Sequence, residues 1–324
     1  MVDKIKYLGL KICNEKDIFK DQKREMIDRA KWRARGTHEV IEKSCNRLMI
    51  GKTFWKDVVL PGVLKGSELM NFTKKQTGDL QVTENRVYRI ILGAASSTPI
   101  VALRGEVGSS DMESRLIKGR LLFTKNMLES DNNLVKTTIE KVMRDGGSSW
   151  KKKTDEYLRL AGMSLEELQT NSKNAIKKRI YEYDSRKWTE ELRTKTSLEI
   201  YRECKTEVKE EKFYKNGEVS RLIFRARSNT MALNDRFRHD RGENRRDTNC
   251  GICGTEMETL EHFVLRCGRL EGERDLELLR EMRGIDDRDT MSNLLFKGGR
   301  IMRTGEMIKN MWVKRKYLIN RLGR

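Results

Sequence analysis

The stretch Cys250-Gly251-Ile252-Cys253, followed by His262 and Cys267, decides how the rest of the chain is read. Two residues separate the first pair of cysteines, eight lead to the histidine and four more to the third cysteine, so four soft donors fall within eighteen residues. This is the donor set and spacing of one tetrahedral zinc ion held by three thiolates and an imidazole, a CCHC zinc knuckle. The grouping uses three of only six cysteines and one of only three histidines in 324 residues, which random scattering would rarely produce. With all four positions supplied by the protein, no position is left for substrate or activated water, so a zinc ion here is structural.

The residues between the ligands fit that reading. A Cys-x-x-Cys turn points both sulfurs to one side, and Gly251 and Gly254 are expected to make its tight bends at positive φ. Thr259 reads as a helix N-cap with Leu260, Glu261 and His262 as the first turn, its hydroxyl fixing where the imidazole points. Cys267 then closes the site as that helix ends beside Gly268. On the residues alone, a redox Cys-x-x-Cys pair and a buried metal-free thiol cluster stay open. A redox pair belongs between a strand and a helix of a βαβ unit, and the flanking sequence carries no such pattern.

Basic residues crowd the approach to the first cysteine: Arg225, Arg227, Arg236, Arg238, Arg241, Arg245 and Arg246, with a further run at Lys151, Lys152 and Lys153. The chain holds 68 Lys and Arg against 49 Asp and Glu, a formal net charge of +19, which favours a polyanionic partner. These ten side chains are the expected contacts to the phosphates of RNA or DNA. The competing reading is a solvated face that only confers solubility. His239, among the arginines, reads as a surface histidine and not as a fifth ligand.

Charged residues make up 36% of the chain, aromatics only 7%, and proline occurs twice, a balance that suits amphipathic helices better than a β-sandwich. The expected class is mainly α: multi-helix bundle units, a short N-terminal strand remnant and the small knuckle near the C-terminus. No apolar run approaches the ~18 residues that span a bilayer, and the N-terminus carries no signal-peptide pattern. Unpaired cysteines with metal-ligand spacing place the protein in a reducing compartment, nuclear or cytoplasmic.

In chain order, residues 4–12 alternate around Gly9 as a strand or hairpin arm does. A helical pattern from Asp17 to about Arg35 places Ile18, Met26, Ile27 and Ala30 inside. Pro61-Gly62 is expected to break a helix. Val87 to Leu92 ends at Gly93, Pro99 opens a short helix, and another runs from about Met112 to Leu128. Gly146-Gly147-Ser148-Ser149 reads as a linker, Ser164 and Glu167 as a capping box, and Trp188, Leu192 and Tyr201 as interhelical core. Asp275 to Arg324 reads as two helices.

Taken together, these motifs resemble the C-terminal part of the reverse transcriptase of non-LTR (LINE-type) retrotransposons. The resemblance rests on Lys6-Tyr7-Leu8-Gly9, which looks like the strand closing the polymerase palm; on Trp55 with Pro61, Leu64, Gly66 and Glu68; and on Ile91-Leu92-Gly93 leading to Thr98-Pro99, Ala102-Leu103 and Gly105 to Gly108. Trp188, Leu192, Lys195, Leu198, Tyr201 and Lys205 are similar to the connector helices, and Cys250 to Cys267 to the terminal knuckle. It implies an end-of-palm strand at 1–13, a thumb-like region at 14–147, connector helices with a basic arm at 148–245, the knuckle at 246–270 and C-terminal helices at 271–324. That family's polymerase depends on an aromatic-x-Asp-Asp motif. The one Asp-Asp pair here, Asp286-Asp287, follows Gly284-Ile285 and reads as a helix start. The expected activity is therefore nucleic-acid binding without polymerase chemistry. Two readings from other classes are a free-standing zinc-stabilised nucleic-acid regulator and a protein-interaction module with the zinc as a staple.

Overall fold

The computed structural model describes residues 4–44, 46–215, 217–237 and 247–322. The protein is mainly helical, with one two-stranded antiparallel sheet at the N-terminus and the Cys/His cluster near the C-terminus. Among the described residues no helix is long and apolar enough to cross a membrane. The chain forms two compact units that are interleaved in sequence. The first comprises Met1–Ser44, Met49–Tyr88 and Gly108–Glu190, and the second Cys45–Leu48, Arg89–Val107 and Glu191–Arg324.

In the first unit the strand-like start folds back on itself. Lys4–Tyr7 pairs antiparallel with Leu10–Cys13, and the two turn residues, Leu8 and Gly9, both take positive φ, 46° and 86°, the signature of a type I′ hairpin. The hairpin is tied to the helix Lys20–Glu42 by Lys11 N–H donating to Gln22 Oε1 at 3.0 Å and Cys13 N–H to the Ile18 carbonyl at 2.9 Å. Met26, Ile27 and Ala30 are buried as their spacing requires, whereas Ile18 precedes the helix and is 47% exposed. The helix Met112–Leu128 begins where the sequence places it and packs Ile117 and Leu121 against Tyr157, Leu158, Leu168, Ile176 and Ile180. Ser164 and Glu167 form a complete capping box. The glycine-serine stretch 146–149 is a turn within this unit, between the helices Asn133–Arg144 and Ser149–Leu160.

Pro61-Gly62 does not break its helix. Phe54–Val59 is a π-turn that runs directly into the helix Leu60–Leu64, with Leu60 N–H reaching back five residues to the Trp55 carbonyl. The wider turn accommodates a ring that would clash with the carbonyl four residues back in a regular α-helix. The chain direction changes later, at Gly66, whose φ is 81°.

The second unit is built around one apolar core. The helix Glu218–Arg227 contributes Leu222 and Ala226, and the C-terminal helix Ile301–Arg321 contributes Met307, Ile308, Met311 and Trp312. The segment expected as two terminal helices is three, Leu276–Arg280, Asp287–Phe296 and Ile301–Arg321. The stop at Lys297 and the turn Gly298–Arg300 divide the second pair. Asp286 caps the middle helix, its carboxylate accepting from Asp289 N–H at 2.8 Å, so the Asp-Asp pair is a helix start.

At Gly305 the C-terminal helix lies close against the helix Glu218–Arg227. A Cβ there would stand 2.4 Å from Ile223 Cδ1 and 2.7 Å from Val219 Cγ1. Alanine would gain about 1 kcal/mol of helix propensity but force the β-branched Val219 aside, and overpacking of that kind costs about 1–3 kcal/mol. Gly305→Ala is therefore expected to lower the thermal midpoint; an unchanged or raised midpoint would show that the two helices separate freely.

Candidate metal centre

The four donors predicted from spacing meet in space. The Cys250, Cys253 and Cys267 sulfurs and a His262 ring nitrogen all lie within 4.8 Å of one another. Cys250 Sγ is 3.9 Å from Cys267 Sγ, and Cys253 Sγ is 3.4 Å from His262 Nε2. Ligand bonds of about 2.3 Å to sulfur and 2.0 Å to nitrogen give tetrahedral edges of about 3.8 Å and 3.5 Å. The donor set and its spacing therefore fit a single metal ion, with no fifth protein donor required.

Each ligand is positioned by local backbone chemistry. Gly254, at φ 72°, closes the cysteine turn, and its N–H donates to the Cys250 carbonyl at 2.8 Å. Gly251 does not take positive φ, because the turn needs only one left-handed residue. Asn249 and Met257 form an antiparallel bridge, and Cys250 N–H donates to the Glu256 carbonyl at 2.8 Å, so the loop doubles back on itself. Thr259 caps the following helix, its Oγ1 accepting from His262 N–H at 3.1 Å.

The spacing alone does not reveal what happens after the histidine. His262–Arg266 is a π-turn, and Cys267 N–H donates to the His262 carbonyl at 2.8 Å. Five residues of α-helix would carry Cys267 well around the axis from His262. The wider turn brings it back to the same side.

The carboxylates and arginines around the ligands also escape the sequence reading, since Glu256, Glu258 and Glu261 all fall between the second cysteine and the histidine and nothing singles one out. Glu256 Oε1 lies 2.9 Å from His262 Nδ1, an ion-pair distance without good hydrogen-bond direction. It leaves Nε2 as the nitrogen facing the sulfurs, and a carboxylate behind a ligating imidazole orients it and raises its basicity. Glu258, fully buried, accepts from Arg315 Nε at 2.7 Å and Nη2 at 2.6 Å and from Asn234 N–H at 2.8 Å. This bidentate pair joins the loop to the C-terminal helix, with Phe263 edge-on to Trp312 beside it. Arg274 Nη2 donates to the Cys267 carbonyl at 2.8 Å.

The thiols differ in proton affinity. Burial pushes Cys250 up to about 12 and also raises Cys267. At Cys253 burial acts in the same direction, but hydrogen bonds from Thr255 and the neighbouring His262 outweigh it and bring the thiol down to about 6. At pH 7 Cys253 is thus a thiolate while the other two hold protons that a metal must displace. Metal binding at pH 7 should release about two protons, and affinity should rise about a hundredfold per pH unit. Calorimetry in buffers of different ionisation enthalpy measures this; release of no protons would mean that the buried thiols do not ligate.

The chain matches no protein-family model, no curated protein and no solved structure.

Of the ten basic residues expected at phosphates, six are described. Arg238, Arg241, Arg245 and Arg246 lie outside the described residues, as does His239. Lys151, Lys152 and Lys153 belong to the first unit, and Arg225, Arg227 and Arg236 to the second. Lys151 Nζ is 2.6 Å from Asp155 and Lys153 Nζ is 2.9 Å from Glu156, leaving Lys152 exposed between them. Arg236 is exposed, its guanidinium 4.5 Å above the Phe237 ring.

Arg227 corrects the expectation. It is 4% exposed, with Nη2 at 3.0 Å from Glu106 and 3.2 Å from Glu211, Nη1 donating to the Leu295 carbonyl at 2.7 Å, and its plane 4.1 Å over Phe296. The spacing of the run puts Arg227 on the inward side of its helix, where Glu106 and Glu211 meet its charge. Trp188 and Tyr201 are likewise buried and have no face for a base. Arg227→Ala should cost about 3–5 kcal/mol, because it leaves Glu106 charged and unpaired. Chemical denaturation measures the loss, and adding Glu106→Gln should recover part of it; equal stability of Arg227→Ala and the unaltered protein would contradict the buried pairing.

Proposed function

We propose that the chain binds nucleic acid through the phosphate backbone and that the metal of its Cys3His centre is a structural zinc ion. The observation that carries this reading is a four-donor cluster, with Cys250 and Cys267 inside a hydrophobic core, in a chain of net charge +19. Three sulfurs and a nitrogen suit zinc and not the oxygen-seeking magnesium or calcium. A centre with no open position contributes folding free energy and holds side chains in place, and it has nowhere to bind a reacting group.

Binding rather than nucleotidyl transfer is the activity proposed, in keeping with the resemblance to the thumb, connector and knuckle of LINE-type reverse transcriptases. Asp286 supports this, since it is occupied as a helix cap. RNA template and target DNA are both polyanions that a basic helical surface takes up with little sequence information. Zinc would fix the loop from Cys250 to Cys267, and with it the end of the basic segment that precedes it.

The test is a salt series. Metal-loaded protein should bind a fluorescent RNA hairpin and a DNA duplex with log K falling linearly in log salt, at a slope of about −0.9 per phosphate neutralised on duplex DNA. It should carry about one zinc per molecule, lost in Cys253→Ser. Absence of binding at low salt would overturn the nucleic-acid reading, and full zinc occupancy in Cys253→Ser would overturn the ligand set.

A further inference from the structure

In the second unit a cavity of about 580 Å³ opens between segment 95–99, residues 196–199 and residues 225–236. Its size falls among ligand-binding clefts, which run to roughly 300–1,000 Å³. Arg225 and Arg236 line it together with the exposed residues Ser96 and Ser97.

The cations here are held differently from Arg227. Arg225 is half-buried and Nε donates to the Gly93 carbonyl at 3.1 Å, with no carboxylate partner among the described residues. Arg89, also half-buried, donates from Nη2 to the Thr98 carbonyl at 3.0 Å. The two arginines thus pin both ends of the loop 93–98 through neutral oxygens. At Gly93, φ 59°, a Cβ would stand 2.3 Å from the Arg221 side chain, so a third arginine closes on the same backbone. Burial lowers the proton affinity of Arg89 and of Arg225; at Arg225 the neighbouring Arg221 lowers it further and Glu218 only partly offsets the two. Two acids do reach the groove. Glu199 lies 3.6 Å from Arg288, and Asp235 is buried.

We propose that this groove is a binding site for the sugar-phosphate backbone of single-stranded nucleic acid. Arg225 and Arg236 take phosphate oxygens, and Ser96 and Ser97, which line the same groove, donate to phosphate or sugar oxygens. A partly desolvated guanidinium bonded to a neutral carbonyl still gains from an anion, and arginine presents a planar fork that matches phosphate. A single strand can bend its backbone into a cleft of this kind, which a stiff duplex cannot do. The proposal rests on the nucleic-acid reading above and assigns that reading a place.

The test uses the full metal-loaded chain and a fluorescent twelve-nucleotide single strand. Ser97→Asp and Arg236→Ala each change the net charge by one at an exposed position, and Lys178→Ala makes the same change on an exposed helix of the first unit. Each groove variant should weaken binding about tenfold and flatten the salt slope by about one, whereas Lys178→Ala should change affinity less than about twofold. Metal content and thermal midpoint should match the parent protein, and Ser97→Asp serves alone if Arg236→Ala does not fold. Photocrosslinking with a thiouridine strand should label peptides spanning 93–99 or 225–236. Groove variants no weaker than Lys178→Ala, crosslinks confined to other peptides, or tighter binding of duplex than of single strand would each overturn the proposal while leaving nucleic-acid binding intact. Failure of the parent chain to bind any nucleic acid would remove both.

Discussion

Cys250 and Cys267 lie in the same apolar core as Ile308, Met311 and Trp312, so the metal centre and the hydrophobic centre of the second unit are one object. The packing of either thiol depends on its charge. As thiols they are small hydrophobes, and as thiolates they need a cation beside them, which a bound metal would supply. Glu258 and Arg315 extend the same dependence outward, since a fully buried carboxylate remains there only while the C-terminal helix presents its guanidinium. Loss of the metal would therefore be felt along the helix Ile301–Arg321 and not only in the loop that carries the ligands.

Net charge and deployed charge are different quantities in this chain. The surplus of basic residues is large, yet Arg227 and Arg315 are interior structural cations and Lys151 and Lys153 face acids on their own helix. Exposed helix pairs of that type contribute only about 0.3–0.5 kcal/mol each and are screened by salt. What remains for a partner is the smaller set bonded to carbonyls or standing free of acids, of which Arg225 and Lys152 are examples in the two units.

The features legible in the sequence were those governed by local chemistry. Ligand spacing located the metal cluster, Thr259 and Ser164 declared their helix starts, and Gly9 and Gly93 marked changes of direction, because each depends on a few neighbouring atoms. The misses share a different cause. Pro61 breaks a helix only in α-geometry, and the π-turn before it is a register choice that packing decides. Arg227 was placed outside because Glu106 is 121 residues away in the chain, beyond any local pattern. Glu256 and Glu258 were indistinguishable until folding turned one to the imidazole and the other to Arg315.

The separation of Glu106 from Arg227 also imposes an order in time. A ribosome adding about 5–20 residues per second places their synthesis roughly 6–24 s apart. Through that interval the carboxylate has no cation to enter the interior with, and the helix Ile100–Val107, whose residues Val101 to Val107 are all buried in the finished fold, cannot settle. The nascent chain must therefore carry an apolar helix in a solvated, unfinished state until its later partner emerges. That is the window in which a chaperone would find it, and the interleaved order of the two units makes the window unavoidable.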